Sequence, residues 1–160
     1  MKIWIAGFGN IVRQDDGVGI ILAARIAEWL KSKSGNTVKL SLEHQILPEL
    51  VDELSDVDLA IFVDADISQH ENGWNIAEIC PSSRIDGFNI HSMGPAWLLQ
   101  LSAQLGIPPK KALTLSVSGN SFDFSDNITQ VCEIRMCAAE KAFHEWFAAT
   151  CEKSNGRYLQ

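Results

Sequence analysis

Hydrophobic positions along the chain form short apolar runs that alternate with stretches of helical spacing. Residues 2–6, KIWIA, are an apolar run that ends in glycine, and residues 58–65, DLAIFVDA, are a longer one closed by an acid. Such runs are typical of buried parallel strands. From Gly17 to about Ser32, apolar residues recur at the spacing of one helix face, which predicts a helix between the two strands.

The rest of the chain continues this alternation. Further strands are predicted for TVKLSLEH, GWNIAEI and ALTLSV, and further helices for LPELVDEL, GPAWLLQLSAQLG and SDNITQVCEIRMCAAEKAFHEWFAAT. Ser125 or Asp126 would cap the last of these helices. The pattern predicts one α/β domain over residues 1–150, a three-layer sandwich of about five mostly parallel strands between helices, followed by a flexible tail, 151–160.

Composition and charge narrow the class of partner. The chain has 160 residues, 46% of them hydrophobic, and a net charge of -7. An acidic chain without a basic cluster disfavours nucleic-acid and membrane-surface binding. No apolar run approaches the roughly 20 residues that span a bilayer, and no signal peptide is recognisable. The four cysteines contain no C-x-x-C pair, which fits buried or idle thiols in a reducing compartment, so we expect a cytoplasmic protein.

The stretch GFGNIVRQDDGVG, residues 7–19, joins a glycine-rich turn to two adjacent acids. A dinucleotide-binding turn needs a glycine where Val12 stands, and Asp15 and Asp16 would repel a pyrophosphate at the helix start. Dinucleotide binding is therefore disfavoured. Capping of the following helix is the structural alternative for either acid, although one acid would suffice.

Three candidate functional residues are predicted at the carboxyl edge of the sheet. Asp16 follows the first strand, Asp64 ends the most apolar strand, and His91 stands just ahead of a predicted helix. Open α/β sheets bind ligands at this edge, and two carboxylates with an imidazole suit zinc or nickel. Turn formation is the alternative for Asp64, and a structural hydrogen bond for His91. His44 also follows a strand and is a weaker candidate.

A serine nucleophile is a rival interpretation. GNSFD, residues 119–123, is the nearest match to G-x-S-x-G, although it lacks the final glycine. Ser121 with His91 and Asp64 would form a triad in an order along the chain that is permitted but has no further support.

Four blocks of the sequence resemble the [NiFe]-hydrogenase maturation proteases. They are GFGNIVRQDDGVG, HQILPELVDELSDVDLAIFVDA, HSMGPAWLLQLSAQLG and LTLSVSGNSFDFSDNIT, and the resemblance runs from Lys2 to the terminal helix. It implies that the family's metal-contacting residues fall on Asp16, Asp64 and His91. Many members carry a G-[IV]-[EQ]-P-like turn after the fifth strand, where this chain has SVSGNSFDF, residues 116–124.

The resemblance also implies a function. Such endopeptidases remove a short C-terminal extension from the hydrogenase large-subunit precursor after nickel insertion, and the nickel carried by the precursor serves as the recognition element. A water activated by the metal, or polarised by a carboxylate such as Asp16, would attack the scissile peptide, by an aspartic-type or metal-assisted route. We expect a monomer. The alternatives are a nickel-binding maturation chaperone without peptidase activity, and a serine hydrolase that uses Ser121.

Overall fold

The protein, represented by a computed structural model that describes residues 1–81 and 93–152, is built around one sheet. Its strands are β1 (Lys2–Phe8), β2 (Thr37–Glu43), β3 (Leu59–Asp66), β4 (Trp74–Glu78) and β5 (Lys111–Ser118). In space, the five strands of the described chain have the order β2-β1-β3-β5-β4, and only β4 runs antiparallel to its neighbour. The predicted α/β class with a mostly parallel sheet is confirmed.

Helices cover both faces of the sheet. Helices α1 (Val18–Ser32) and α3 (Gln130–Phe147) pack on one face, while α2 (Pro95–Gln104) and a 3-10 turn over Pro48–Leu54 pack on the other. A final π-helical turn ends at Glu152, and the rest of the predicted tail, 153–160, lies outside the described residues. None of the helices among the described residues is both long and apolar enough to cross a membrane.

Burial on both faces explains why the strands read as continuous apolar runs. In β1, Ile3 and Ile5 face the α1–α3 layer, while Trp4, Ala6 and Phe8 face the opposite layer. Successive side chains of a strand point to opposite faces, so a strand covered on both sides needs apolar residues at every position. All five of these residues are at most 3% exposed.

The start of α3 corrects the sequence prediction. The cap is Thr129, whose hydroxyl accepts the N–H of Cys132 at 3.2 Å, and neither Ser125 nor Asp126 takes that role. The reason is long-range, because the backbone of Ser125 is already paired with residues 12–14 through hydrogen bonds of 3.1 and 2.9 Å. Residue 125 is therefore held beside the first loop, and the helix begins one turn later.

The topology places a crevice between β1 and β3. The chain leaves β1 through α1 on one face, whereas it reaches β5 from β3 through α2 on the other face. Adjacent strands whose connections leave to opposite faces form a switch point, and ligands of such sheets bind at its carboxyl edge. Asp16 follows β1 and Asp64 lies near the end of β3, so both stand at this edge.

Candidate active site

The crevice opens where β1 and β3 part. Gly7 and Val63 are the last paired residues of these strands, and Asp64 pairs only with β5. The start of α1 packs against both strand ends at Gly19, where an added Cβ would stand 2.5 Å from the Phe8 carbonyl oxygen and 2.8 Å from the Asp64 Cα. No other side chain fits such a gap, so glycine lets the loop before α1 approach β3.

Asp16 is held by the sharp turn that follows β1. Gly9 has φ +136°, and a Cβ at this position would lie 1.9 Å from the Asp16 carbonyl oxygen. The backbone N–H of Asn10 donates to the Asp16 Oδ2 at 2.8 Å. Glycine adopts this φ without the steric cost that a side chain would bring, so the turn requires glycine here. The turn fixes the half-buried carboxylate of Asp16 beside the crevice.

Asp64 has a raised pKa. It remains accessible to solvent, yet the surrounding protein displaces enough water to raise its pKa to about 7, and the negative charges of Asp16 and Asp66 add to that rise. Its Oδ1 accepts only the neighbouring Ala65 N–H, at 2.7 Å, among the described residues. A cation beside this carboxyl would favour its charged form.

The third predicted residue, His91, lies outside the described residues. Within residues 1–81 and 93–152, no group of three or more His, Cys, Asp or Glu side chains could hold a metal ion. The ion pairs of that part of the chain include neither Asp16 nor Asp64. The described part of the site is thus a pair of carboxylates without a cationic partner.

Asp15, directly before Asp16, has a separate structural role that sequence reasoning missed. It is 0% exposed and accepts four hydrogen bonds: from the N–H groups of Asn120 (2.7 Å), Ser121 (3.0 Å) and Thr129 (2.6 Å), and from the Thr129 hydroxyl (2.8 Å). Burial alone would raise its pKa, but these donors outweigh that effect and lower it. The side chain therefore ties the first loop to the loop after β5.

The helix-capping alternative is wrong for both acids. Neither the 3-10 turn over Gln14–Gly17 nor α1 receives a side-chain cap, and Gly17 occupies the cap position of α1. Asp15 and Asp16 instead bind backbone groups of other segments. No local pattern could reveal this for Asp15, because its partners lie more than 100 residues away.

Solved structures with a similar fold include several endopeptidases of hydrogenase maturation. The hydrogenase maturating endopeptidase HybD of Escherichia coli is 20% identical, with 94% of each chain covered and a TM-score of 0.66. An endopeptidase from Escherichia coli solved in solution is 22% identical, with 94% of each chain covered and a TM-score of 0.69. The [NiFe] hydrogenase maturation protease HybD of Thermococcus kodakarensis is 15% identical and covers 91% of this chain and 99% of its own, with a TM-score of 0.61.

This chain has the fold of the hydrogenase maturation endopeptidases. No protein-family model matches the sequence, and no curated protein does. The shared fold places the β1–β3 crevice, with its two acids, at the switch point of a maturation-endopeptidase fold.

Ser121, the rival nucleophile, lies on the loop bound by Asp15. Its hydroxyl donates to the exposed Asp123 at 3.2 Å, and its carbonyl oxygen accepts the Asp15 N–H at 3.1 Å. Among the hydrogen bonds of the described residues, none joins Ser121 to an imidazole. The triad that sequence reasoning considered also needs His91, which is outside those residues.

The other histidines stand in different settings. His70 bonds Asp66 through a ring nitrogen at 2.8 Å, and His144 stacks on Trp29 with ring centroids 3.9 Å apart. His44 is exposed after β2, at the same edge of the sheet as the crevice. It directly follows β2, whereas His70 comes four residues after the end of β3.

A shallow recess lies at the opposite edge of the sheet, at the amino ends of β1 and β2. Four of its five charged side chains form surface pairs, Lys2 with Asp56 and Lys39 with Glu53, and the fifth, Asp52, is exposed to solvent. Parallel sheets bind ligands at the other edge. The β1–β3 crevice is therefore the better candidate site.

Proposed function

We propose that this protein is a [NiFe]-hydrogenase maturation endopeptidase that removes the C-terminal extension of a large-subunit precursor after nickel insertion. The observation that supports it best is the position of Asp16 and Asp64, at neighbouring strand ends in a fold shared with such endopeptidases. The resemblance of the first sequence block to this family points the same way.

The side chains fit a substrate that carries its own nickel. In the proposal, Asp16, Asp64 and His91 contact the nickel of the precursor, since carboxylate and imidazole donors suit this ion. Desolvation, together with the negative charges of Asp16 and Asp66, raises the pKa of Asp64 to about 7, and a cation beside it would favour the charged form. A precursor without nickel would leave the two acids without a cation and would bind less well.

Asp16 and Asp64 would have different roles in the proposed reaction because their surroundings differ. Asp16 is oriented by the Asn10 N–H and serves as a fixed ligand or as the group that polarises the attacking water. Asp64 would contact the nickel through Oδ2, because its Oδ1 accepts the Ala65 N–H and no described residue donates to Oδ2.

A processing assay tests the proposal. Purified protein is mixed with a large-subunit precursor, with and without nickel, and the precursor mass is followed. We expect cleavage of the nickel-loaded form alone, loss of cleavage in Asp16→Asn and Asp64→Asn, and normal cleavage in the exposed control Asp52→Asn. Cleavage by Asp16→Asn at the wild-type rate would remove that residue from the mechanism.

The same assay separates the alternatives. Nickel transfer or retention without any cleavage would favour a maturation chaperone. Loss of cleavage in Ser121→Ala, with Asp16→Asn active, would favour a serine hydrolase. Size-exclusion chromatography of the purified protein tests the expected monomer, and cell fractionation tests the cytoplasmic location.

A further inference from the structure

We propose that Phe124, Ile11 and Val12 form a docking surface that binds an apolar, non-acidic segment of the polypeptide substrate beside Asp16. The inference deepens the proposed function and rests on it. It concerns the loop after β5, residues 119–128, together with Ile11 and Val12 of the first loop.

The three side chains are large, apolar and exposed. Phe124 is 86% exposed, Ile11 57% and Val12 49%. Single exposed apolar residues are ordinary, but a contiguous group is typical of an interaction site. A parallel bridge between Arg13 and Ser125 sets the backbone of Val12 beside that of Phe124, and Ile11 precedes Val12, so the three positions are neighbours.

The backbone that carries the exposed ring is held in place. Arg13 donates from Nε to the Phe122 carbonyl oxygen at 3.1 Å, and its guanidinium lies 5.5 Å from the Phe124 ring centroid. The N–H and the carbonyl oxygen of Ser125 are both hydrogen-bonded, and Asp15 binds Asn120 and Ser121 in the same loop and Thr129 directly after it. A loop whose backbone is ordered before binding loses less entropy on binding, which favours a docking role.

The docking surface is continuous with the candidate active site. Ile11 packs over Gly17, where an added Cβ would lie 3.1 Å from the Ile11 Cα, and Asn10, the residue before it, binds the Asp16 carboxylate. An endopeptidase has to hold the polypeptide on at least one side of the scissile bond. An apolar surface that begins next to Asp16 is therefore in the position to hold that segment.

Charge further defines the occupant. Three exposed charges surround Phe124: Arg13, whose guanidinium lies against the ring, and the acids Asp123 and Asp126 on either side of it in the chain. The acids outnumber the base, so the surface would disfavour an acidic segment more than a neutral or basic one. The surface thus fits an apolar segment of the precursor that carries no acid at the contact.

Steady-state processing of the nickel-loaded precursor tests the surface with a matched pair of variants. Phe124→Ala should raise KM by roughly tenfold and leave kcat unchanged, because the interaction is made equally in ground and transition states. Leu105→Ala is the control, since Leu105 is 57% exposed after α2, away from the carboxyl edge of the sheet. The thermal midpoint of Phe124→Ala should equal that of wild type, because the ring is exposed.

The outcomes separate the docking surface from the proposed function. Unchanged KM in Phe124→Ala, or a fall in kcat alone, overturns the docking surface and leaves the peptidase intact. If wild type binds the precursor but does not cleave it, the proposed peptidase activity is overturned. The dissociation constants of wild type and Phe124→Ala for the precursor are then compared, and roughly tenfold weaker binding by the variant supports the docking surface. Wild type that neither binds nor cleaves overturns both.

Discussion

Replacing Asp15 by asparagine should destabilise the protein far more than the same change at Asp16, the other acid of its first loop. The substitution keeps the size of the side chain and removes its charge. In the wild type, Oδ2 accepts the N–H groups of Asn120 and Ser121 and the Thr129 hydroxyl, while Oδ1 accepts the Thr129 N–H. An amide has one oxygen, so it can take over only one of these two sets.

The magnitude follows from this geometry. If the amide oxygen replaces Oδ2, the amide nitrogen faces the Thr129 N–H across the former 2.6 Å hydrogen bond, and two donors then oppose each other. A buried donor without an acceptor costs about 1–3 kcal/mol, and the remaining bonds lose their charge-assisted strength. We expect a loss of about 3 kcal/mol, which lowers the unfolding temperature of a domain of this size by about 6–12 °C.

Urea and thermal unfolding near neutral pH measure the loss, with the exposed Asp126→Asn as a control that should leave the unfolding midpoint unchanged. The folded pKa of Asp15 lies below its unfolded value of 3.8. Its stabilisation is therefore complete above pH 3.8 and disappears as pH falls through the folded pKa, so wild type and Asp15→Asn should converge in acid. Equal stability near neutral pH, or a gap that persists in acid, would refute the reasoning.

Three further predictions concern the site and the core. Gly9→Ala should abolish processing, because its Cβ would strike a carbonyl oxygen 1.9 Å away, whereas Gly106→Ala, at φ +74° with open space, should keep activity at some cost in stability. Carboxyl-carbon NMR of the metal-free protein should show Asp64 titrating near pH 7, and Asp64→Asn should gain stability relative to wild type as pH rises from 3.8 to 7. Mapped thiol labelling should leave buried Cys132, with its pKa raised to about 12 mainly by desolvation, unmodified in the folded protein, while exposed Cys137 reacts.

Much of the fold could be predicted from the sequence, because the pattern of apolar residues within each strand and helix indicates its type. The apolar runs of β1 and β3 and the helical spacing of α1 each lie within a few residues of the observed bounds. The order of the strands and the antiparallel direction of β4 could not be predicted, because they depend on which edges meet. The start of α3 was predicted one turn early for the same reason, since pairing with residues 12–14 occupies Ser125.

In the candidate site, too, the features that depend on local sequence could be predicted and those that depend on long-range contacts could not. Asp16 and Asp64 could be selected from the sequence, because the ends of buried parallel strands meet at one edge and an acid there needs a partner. Their chemical roles and the place of His91 stay predictions. The anchoring role of Asp15 and the exposure of Phe124 could not be predicted, because both depend on how the loop after β5 folds against the first loop.

The two adjacent acids of the first loop have different roles because their side chains point in different directions. A 3-10 turn over Gln14–Gly17 sends consecutive side chains in different directions, so Asp15 is turned into the protein while Asp16 faces the crevice. The buried charge of Asp15 holds the loop after β5 in place, and that loop presents Phe124 next to Asp16. One short turn thus fixes both Asp16 at the crevice and the loop that carries Phe124. If Phe124 docks the substrate as we propose, a change in the loop after β5 alters substrate choice without displacing Asp16, provided that the donors of this loop to Asp15 are kept.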